Sequence, residues 1–107
     1  MKPTRYYSKL QEKQVADTVN GKTVVNSGAT PYRKGDVIEK EWLIECKTCM
    51  MPKQSFAIKK QWLKTIKEEA KQQGKINYCL AFNFEPNGEN YYILSEDKFK
   101  QLFSEEE

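Results

Sequence analysis

Three charged residues carry the chemistry that stands out in this chain: Asp36, Glu45 and Lys47. Glu45 and Lys47 are two apart, so in a strand they share a face with Leu43, while Trp42, Ile44 and Cys46 take the other. Residues 35–47 are expected to form a β-hairpin turning at Glu39-Lys40, with the strand formers of 41–47 as its second strand. A two-residue turn there pairs Ile38 with Glu41, Val37 with Trp42 and Asp36 with Leu43. Asp36 then lies diagonally from Glu45, roughly 7–8 Å away between backbones and within joint reach of one ion. Two converging carboxylates repel unless a proton or a cation joins them. A hard divalent ion prefers such oxygen ligands, which makes Mg²⁺ the expected cofactor, with Mn²⁺ able to substitute. Lys47 lies about 6.6 Å further along the strand, placed to approach a water on that ion or a phosphate oxygen. A metal, two carboxylates and a lysine suit hydrolysis of a phosphodiester.

The same spacing fits a solvated ladder of opposite charges, a common feature of half-exposed strands. Against that, the reverse face is Trp42, Ile44 and Cys46, and Leu43 lies between the charges. The strand therefore reads as central and buried on both sides, where unpaired carboxylates are expensive.

Composition narrows the chemistry further. The chain has no histidine, which excludes Ser-His-Asp and Cys-His nucleophilic catalysis and His-ligated zinc hydrolysis. Cys46 and Cys49 form a CxxC pair, and Cys79 is the third cysteine. A tetrahedral zinc site needs more soft ligands than these, so the thiols are expected to be reduced and near the core. At 107 residues, with 38% hydrophobic and 31% charged, the chain is expected to form one domain with loose ends at about 1–4 and 104–107. No apolar run approaches the roughly 20 residues of a membrane helix, and the first residues lack a secretion signal. A cytoplasmic location and no membrane partner are the expectations. The formal charge of +3 permits a polyanionic partner without demanding one.

The elements that must position the three charges follow from periodicity. Residues 5–19 predict a helix ending at Asn20-Gly21, with Gly21 as left-handed cap. Glu12, Val15, Ala16 and Val19 share one face of it, so Glu12 either snorkels to water from the edge of the apolar stripe or aims into a polar pocket beneath the helix. Residues 23–26 predict a short strand, followed by a small-residue loop at Ser27, Gly28 and Ala29. Residues 55–73 predict a second helix, with Ser55 as N-cap, Gly74 beyond its end and a buried stripe of Ile58, Trp62, Ile66 and Ala70 beside Leu63. Strands are expected at 77–84 and 90–94 around a Pro86-Asn87-Gly88 turn. Ser95 should cap a last helix carrying Phe99, Leu102 and Phe103. The predicted order is αβββαββα, an α/β fold with one sheet flanked by helices.

The ordered set Glu12, Ser27-Gly28, Gly35-Asp36 and Glu45-Cys46-Lys47 resembles the PD-(D/E)XK nucleases, in particular their small Holliday-junction resolvase branch of archaea and phages. The resemblance runs from about Ser8 to Phe103, and Gly35 stands where the motif has proline. It implies a restriction-endonuclease-like central mixed sheet and a Mg²⁺-dependent endonuclease, in an archaeal, bacterial or phage-infected cell. Asp36 and Glu45 would be metal ligands with the main-chain carbonyl of Cys46. Glu12 would complete the acidic cluster directly or through a water, and Lys47 would orient or activate the attacking water. Ser27 would contact the scissile region. A homodimer is implied as well, since a four-way junction needs two symmetric cuts.

Further DNA contacts are expected from Gly28, Lys22, Arg33 and Lys34 around the site, and from Ser55, where the amides of a helix N-terminus can hold a phosphate. Lys60, Lys64, Lys67 and Lys71 form a basic stripe that reads first as a solvated helix face. Two other functions share these features: a nuclease of nicked, flap or linear duplex DNA, and a DNA-binding module without turnover.

Overall fold

The computed structural model describes residues 4–24 and 35–104. The chain runs α1 (Thr4–Val19), β1 (Lys22–Thr23), β2 (Val37–Ile38), β3 (Trp42–Lys47), α2 (Lys60–Gln72), β4 (Asn77–Phe82), β5 (Tyr91–Ile93) and α3 (Glu96–Ser104), the order expected. The strands form one mixed sheet in the order β1-β2-β3-β4-β5. β3 and β4 are parallel and every other neighbouring pair is antiparallel. A parallel pair needs a crossover, and α2 supplies it. No helix among the described residues is long and apolar enough to cross a membrane.

Alternation along β3 divides the core in two. Ile44 buries with Val37, Cys79 and Ala81 under Val15 and Ala16 of α1, and Trp42 and Cys46 pack against the same cluster. Leu43 buries on the other face with Ile66 and Ala70 of α2. Strand β3 is therefore covered on both sides, as its composition indicated, and its charged end emerges where the two apolar clusters stop.

The hairpin differs from expectation by two steps of register. Val37 faces Ile44 and Ile38 faces Leu43, and the Glu39 amide donates to the Trp42 carbonyl at 2.9 Å. The turn is Lys40-Glu41 instead of Glu39-Lys40. Two contacts fix it there. The Glu41 amide donates to the Glu39 carboxylate at 2.8 Å. The Lys75 ammonium donates to the carbonyls of Glu39 and Lys40 at 2.8 and 3.1 Å. A shift of two leaves every side chain on its predicted face.

The helix ends also move. At the end of α1 it is Asn20, with φ 57°, that turns left-handed, and the Gly21 amide closes on the Ala16 carbonyl at 2.8 Å. Gly21 is needed for space, since a Cβ there would stand 2.6 Å from the Ile38 carbonyl oxygen. α2 ends as predicted: Gly74 has φ 71°, and the Gly74 and Lys75 amides bond to the carbonyls of Lys71 and Ala70 at 3.2 and 2.8 Å. It begins at Lys60, five residues after Ser55, from an extended Lys59 with no side-chain cap. Phe56 explains the late start. Its ring meets Trp62 at 6.3 Å and Phe82 at 5.5 Å. On one continuous helix, residues six apart point about 120° from each other, so an extended entry lets these rings meet. Ser95 caps α3 as expected, accepting from the Lys98 amide at 3.2 Å.

Gly35 leads into Asp36 with φ 85°, and a Cβ there would lie 2.7 Å from two side-chain carbons of Leu43. Gly35→Ala is expected to lower stability by about 2 kcal/mol or more in denaturant titrations, through left-handed strain and the Leu43 clash. An unchanged midpoint would show that this entry to Asp36 is not constrained.

Candidate active site

Where β2 meets β3 the ladder acquires an offset. Val37 faces Ile44, yet the Asp36 amide also donates to the Ile44 carbonyl, at 2.9 Å. Two residues of one strand then address one residue of the other, the arrangement of a bulge, which bends a strand and re-aims a side chain. The Asp36 carboxylate turns to the Cys46 amide, accepting its hydrogen bond at 2.8 Å. The Asp36 carbonyl accepts from the Val24 amide at 3.0 Å, so Asp36 is held from both neighbouring strands.

From this position Asp36 acts on carboxylates from both layers. Glu45 lies half-buried on β3, and Glu12 lies half-buried on α1. Burial, the Asp36 charge and a hydrogen bond to Asp36 raise the Glu45 carboxyl from 4.5 to about 8, against the opposing pull of Lys47. Burial first, and then the Asp36 charge, raise Glu12 to about 7, with Lys9 and Arg5 pulling the other way. The Cys46 thiol is pushed up by burial and then by Asp36, Glu12 and Glu45.

The Lys47 ammonium is 3.4 Å from a Glu45 carboxylate oxygen and 4.5 Å from the centre of the Trp62 ring. Trp62 belongs to the first turn of α2, so the start of that helix does approach the end of β3. The contact is made by an indole ring, and Ser55 is an exposed residue of the preceding extended segment. The expected phosphate site at a Ser55-capped helix terminus is thus absent. Lys22 is exposed on β1 opposite Ile38. Ser27, Gly28, Arg33 and Lys34 lie outside the described residues, in a segment that leaves after Val24 and returns at Gly35. Lys60, Lys64, Lys67 and Lys71 are all exposed on α2.

Structure brings Glu12, Asp36, Glu45 and Lys47 to one end of the sheet, and adds a residue that sequence reasoning missed. Gln11 is 2% exposed. Its Nε2 donates to the Lys47 carbonyl at 2.8 Å and to Asn90 Oδ1 at 3.1 Å. Asn90 Nδ2 in turn donates to Gln14 at 3.4 Å, and Gln14 Nε2 donates to Asn87. One amide network thus ties α1, the β4–β5 turn and the end of β3 together. A signal was present: Gln11, Val15 and Val19 are spaced by four, so a polar side chain falls on the apolar stripe. Cys46, Cys49 and Cys79 are free thiols, the last two buried.

No group of three Cys, Asp or Glu side chains among the described residues is arranged to hold a metal ion. The donors present are the Asp36–Glu45 pair, a third carboxylate influenced by the same charge, and main-chain carbonyls at the strand end. Comparison with protein-family models, with curated proteins and with solved structures gave no match.

The raised carboxyls make stability depend on pH. Folded Glu45 and Glu12 hold protons at pH values where the unfolded chain has released them. Without divalent cations, stability is therefore expected to fall as pH rises from about 4.5 towards about 8. Glu45→Gln should remove most of that slope in thermal unfolding scans with a chelator, and Glu12→Gln a smaller part. A wild-type midpoint that does not move over this window would refute the close packing of the carboxylates.

Proposed function

We propose that this chain is a metal-dependent DNA endonuclease of restriction-endonuclease-like fold, selective for branched DNA in the manner of the small Holliday-junction resolvases. The observation that carries the reading is the meeting of Asp36 with Glu45 and Glu12, beside a lysine 3.4 Å from Glu45. Carboxyls raised first by burial and then by the charge of Asp36 are an incomplete electrostatic arrangement that a divalent cation completes. The order αβββαββα and the central, doubly covered β3 support the same fold. Gly35 also accounts for the missing proline of the motif, because proline is locked near φ −65° and this position has φ 85°.

Asp36, Glu45 and the Cys46 carbonyl are the groups that would hold Mg²⁺, or Mn²⁺ in its place, with Glu12 reaching it directly or through a water. The ion would supply a water of lowered pKa and neutralise phosphate charge. The chain's own part is positional and electrostatic. The Cys46 amide fixes Asp36, and Lys47 orients the attacking water or stabilises charge developing on the phosphate. On the same reading Ser27, Gly28, Arg33 and Lys34 would contact the DNA next to the scissile bond, joined by Lys22, which is exposed on β1. A homodimer fits the uncovered apolar face of α3, where Phe99, Leu102 and Phe103 are 54%, 43% and 61% exposed.

Incubation with a four-way junction, a flap, nicked and linear duplexes, each with Mg²⁺ and with a chelator, tests the reading. Symmetric, Mg²⁺-dependent cuts at the junction are expected. Equal cutting of linear duplex would leave a nuclease of another target, and binding without cutting in either Mg²⁺ or Mn²⁺ would leave a non-catalytic module. Asp36→Asn and Glu45→Ala should each lower cleavage by about a thousandfold or more while unfolding cooperatively. A folded Glu45→Ala protein cutting at the wild-type rate would remove the site assignment.

A further inference from the structure

We propose that Trp62 is a positioning residue for Lys47, holding the ammonium at the site through the face of its indole. The role rests on the nuclease reading above. Among the described residues the Lys47 ammonium has two partners, Glu45 at 3.4 Å and the Trp62 ring at 4.5 Å from its centroid. The second distance is within the range of about 6 Å in which a cation is drawn to an aromatic face.

The two partners are not equivalent. Glu45 also lies within the influence of the Asp36 carboxylate, and any cation held by these carboxylates competes with Lys47 for the same oxygens. The attraction of the indole comes from its ring quadrupole, which no proton or metal titrates. When Glu45 turns to another cation, Trp62 is the contact that keeps the lysine from swinging into solvent on its flexible stem.

The ring is itself held by residues that belong to no charged cluster. Phe56 bridges Trp62 to Phe82, at 6.3 and 5.5 Å between centroids. Phe82 is the partner of Lys47 across the β3–β4 ladder, so ring and lysine are referenced to the same pair of strands. Phe84 and Tyr91 extend the contact beyond Phe82 at 5.5 and 5.8 Å. Lys59 also lies over the Trp62 ring, at 5.7 Å, further away than Lys47 and at the entry to α2.

The test uses the full chain with Trp62→Phe, which keeps an aromatic face, and Trp62→Leu, which keeps apolar volume without one. Two quantities are measured: kcat and KM in Mg²⁺ on the best-cut DNA, and the chemical shift of the Lys47 ε-methylene protons by NMR. Trp62→Leu is expected to lower kcat by about tenfold with KM changed by less than about twofold, and Trp62→Phe to retain kcat within about threefold. The ε-methylene resonance should be shifted upfield by the ring in wild type and in Trp62→Phe, and should lose that shift in Trp62→Leu. The proposal is overturned if Trp62→Leu keeps the wild-type kcat, if kcat falls while the Lys47 resonance stays in place, or if KM alone rises. Should Trp62→Leu fail to fold, the other two proteins decide: no upfield shift in wild type, or a tenfold loss in Trp62→Phe, overturns it. A ring-shifted lysine in a wild-type protein that cuts no DNA removes the nuclease reading and this role with it, while showing that the contact exists.

Discussion

Strand β3 has to be apolar on both faces and charged at one end, and the molecule is organised around that change. From Trp42 to Ile44 it is clamped between two apolar layers, with Ile44 under α1 and Leu43 under α2. From Glu45 onward, charge replaces bulk within the same strand. Placing carboxylates beside a packed core is unfavourable unless something offsets their desolvation. Here the offsets are partial: one amide to Asp36, one lysine beside Glu45, and protons retained by Glu45 and Glu12. The carboxylates at this end of the sheet are thus held against an unfavourable desolvation that their partners only partly offset.

The bulge at Asp36 makes this convergence possible. With strict alternation a residue addresses only one face of a sheet, and Glu12 and Glu45 come from different layers. An offset of one residue at the end of the ladder lets a single carboxylate influence both. Gly35 permits it by taking a left-handed φ and leaving its Cβ space to Leu43.

Much of this was legible in the chain. The element order, the doubly buried β3, the two faces of that strand and the membership of Glu12 in the α1 stripe follow from periods of two and of about 3.6 residues. What was not legible rests on distant contacts. The turn moved to Lys40-Glu41 because Lys75, beyond the far end of α2, donates to it. The start of α2 moved to Lys60 because Phe56 finds Phe82 on another strand. Ser55 is a good cap by type, but tertiary packing outweighed local preference. Trp62 read as one more core residue of an amphipathic stripe, and nothing in its spacing announces a lysine over its face.

The amide network through Gln11 carries a consequence for failure as well as for order. Its donor ties the Lys47 carbonyl to the helix that presents Glu12 and, through Asn90, to the turn between β4 and β5. Regions that share such bonds tend to open together as one cooperative unit. Lifting α1 from the sheet removes the acid on the helix and the hydrogen bond to the Lys47 main-chain carbonyl in the same event. A chain opened in this way therefore loses Glu12 together with the tie on the end of β3, while Asp36, Glu45 and Lys47 keep their contacts on the sheet and to α2.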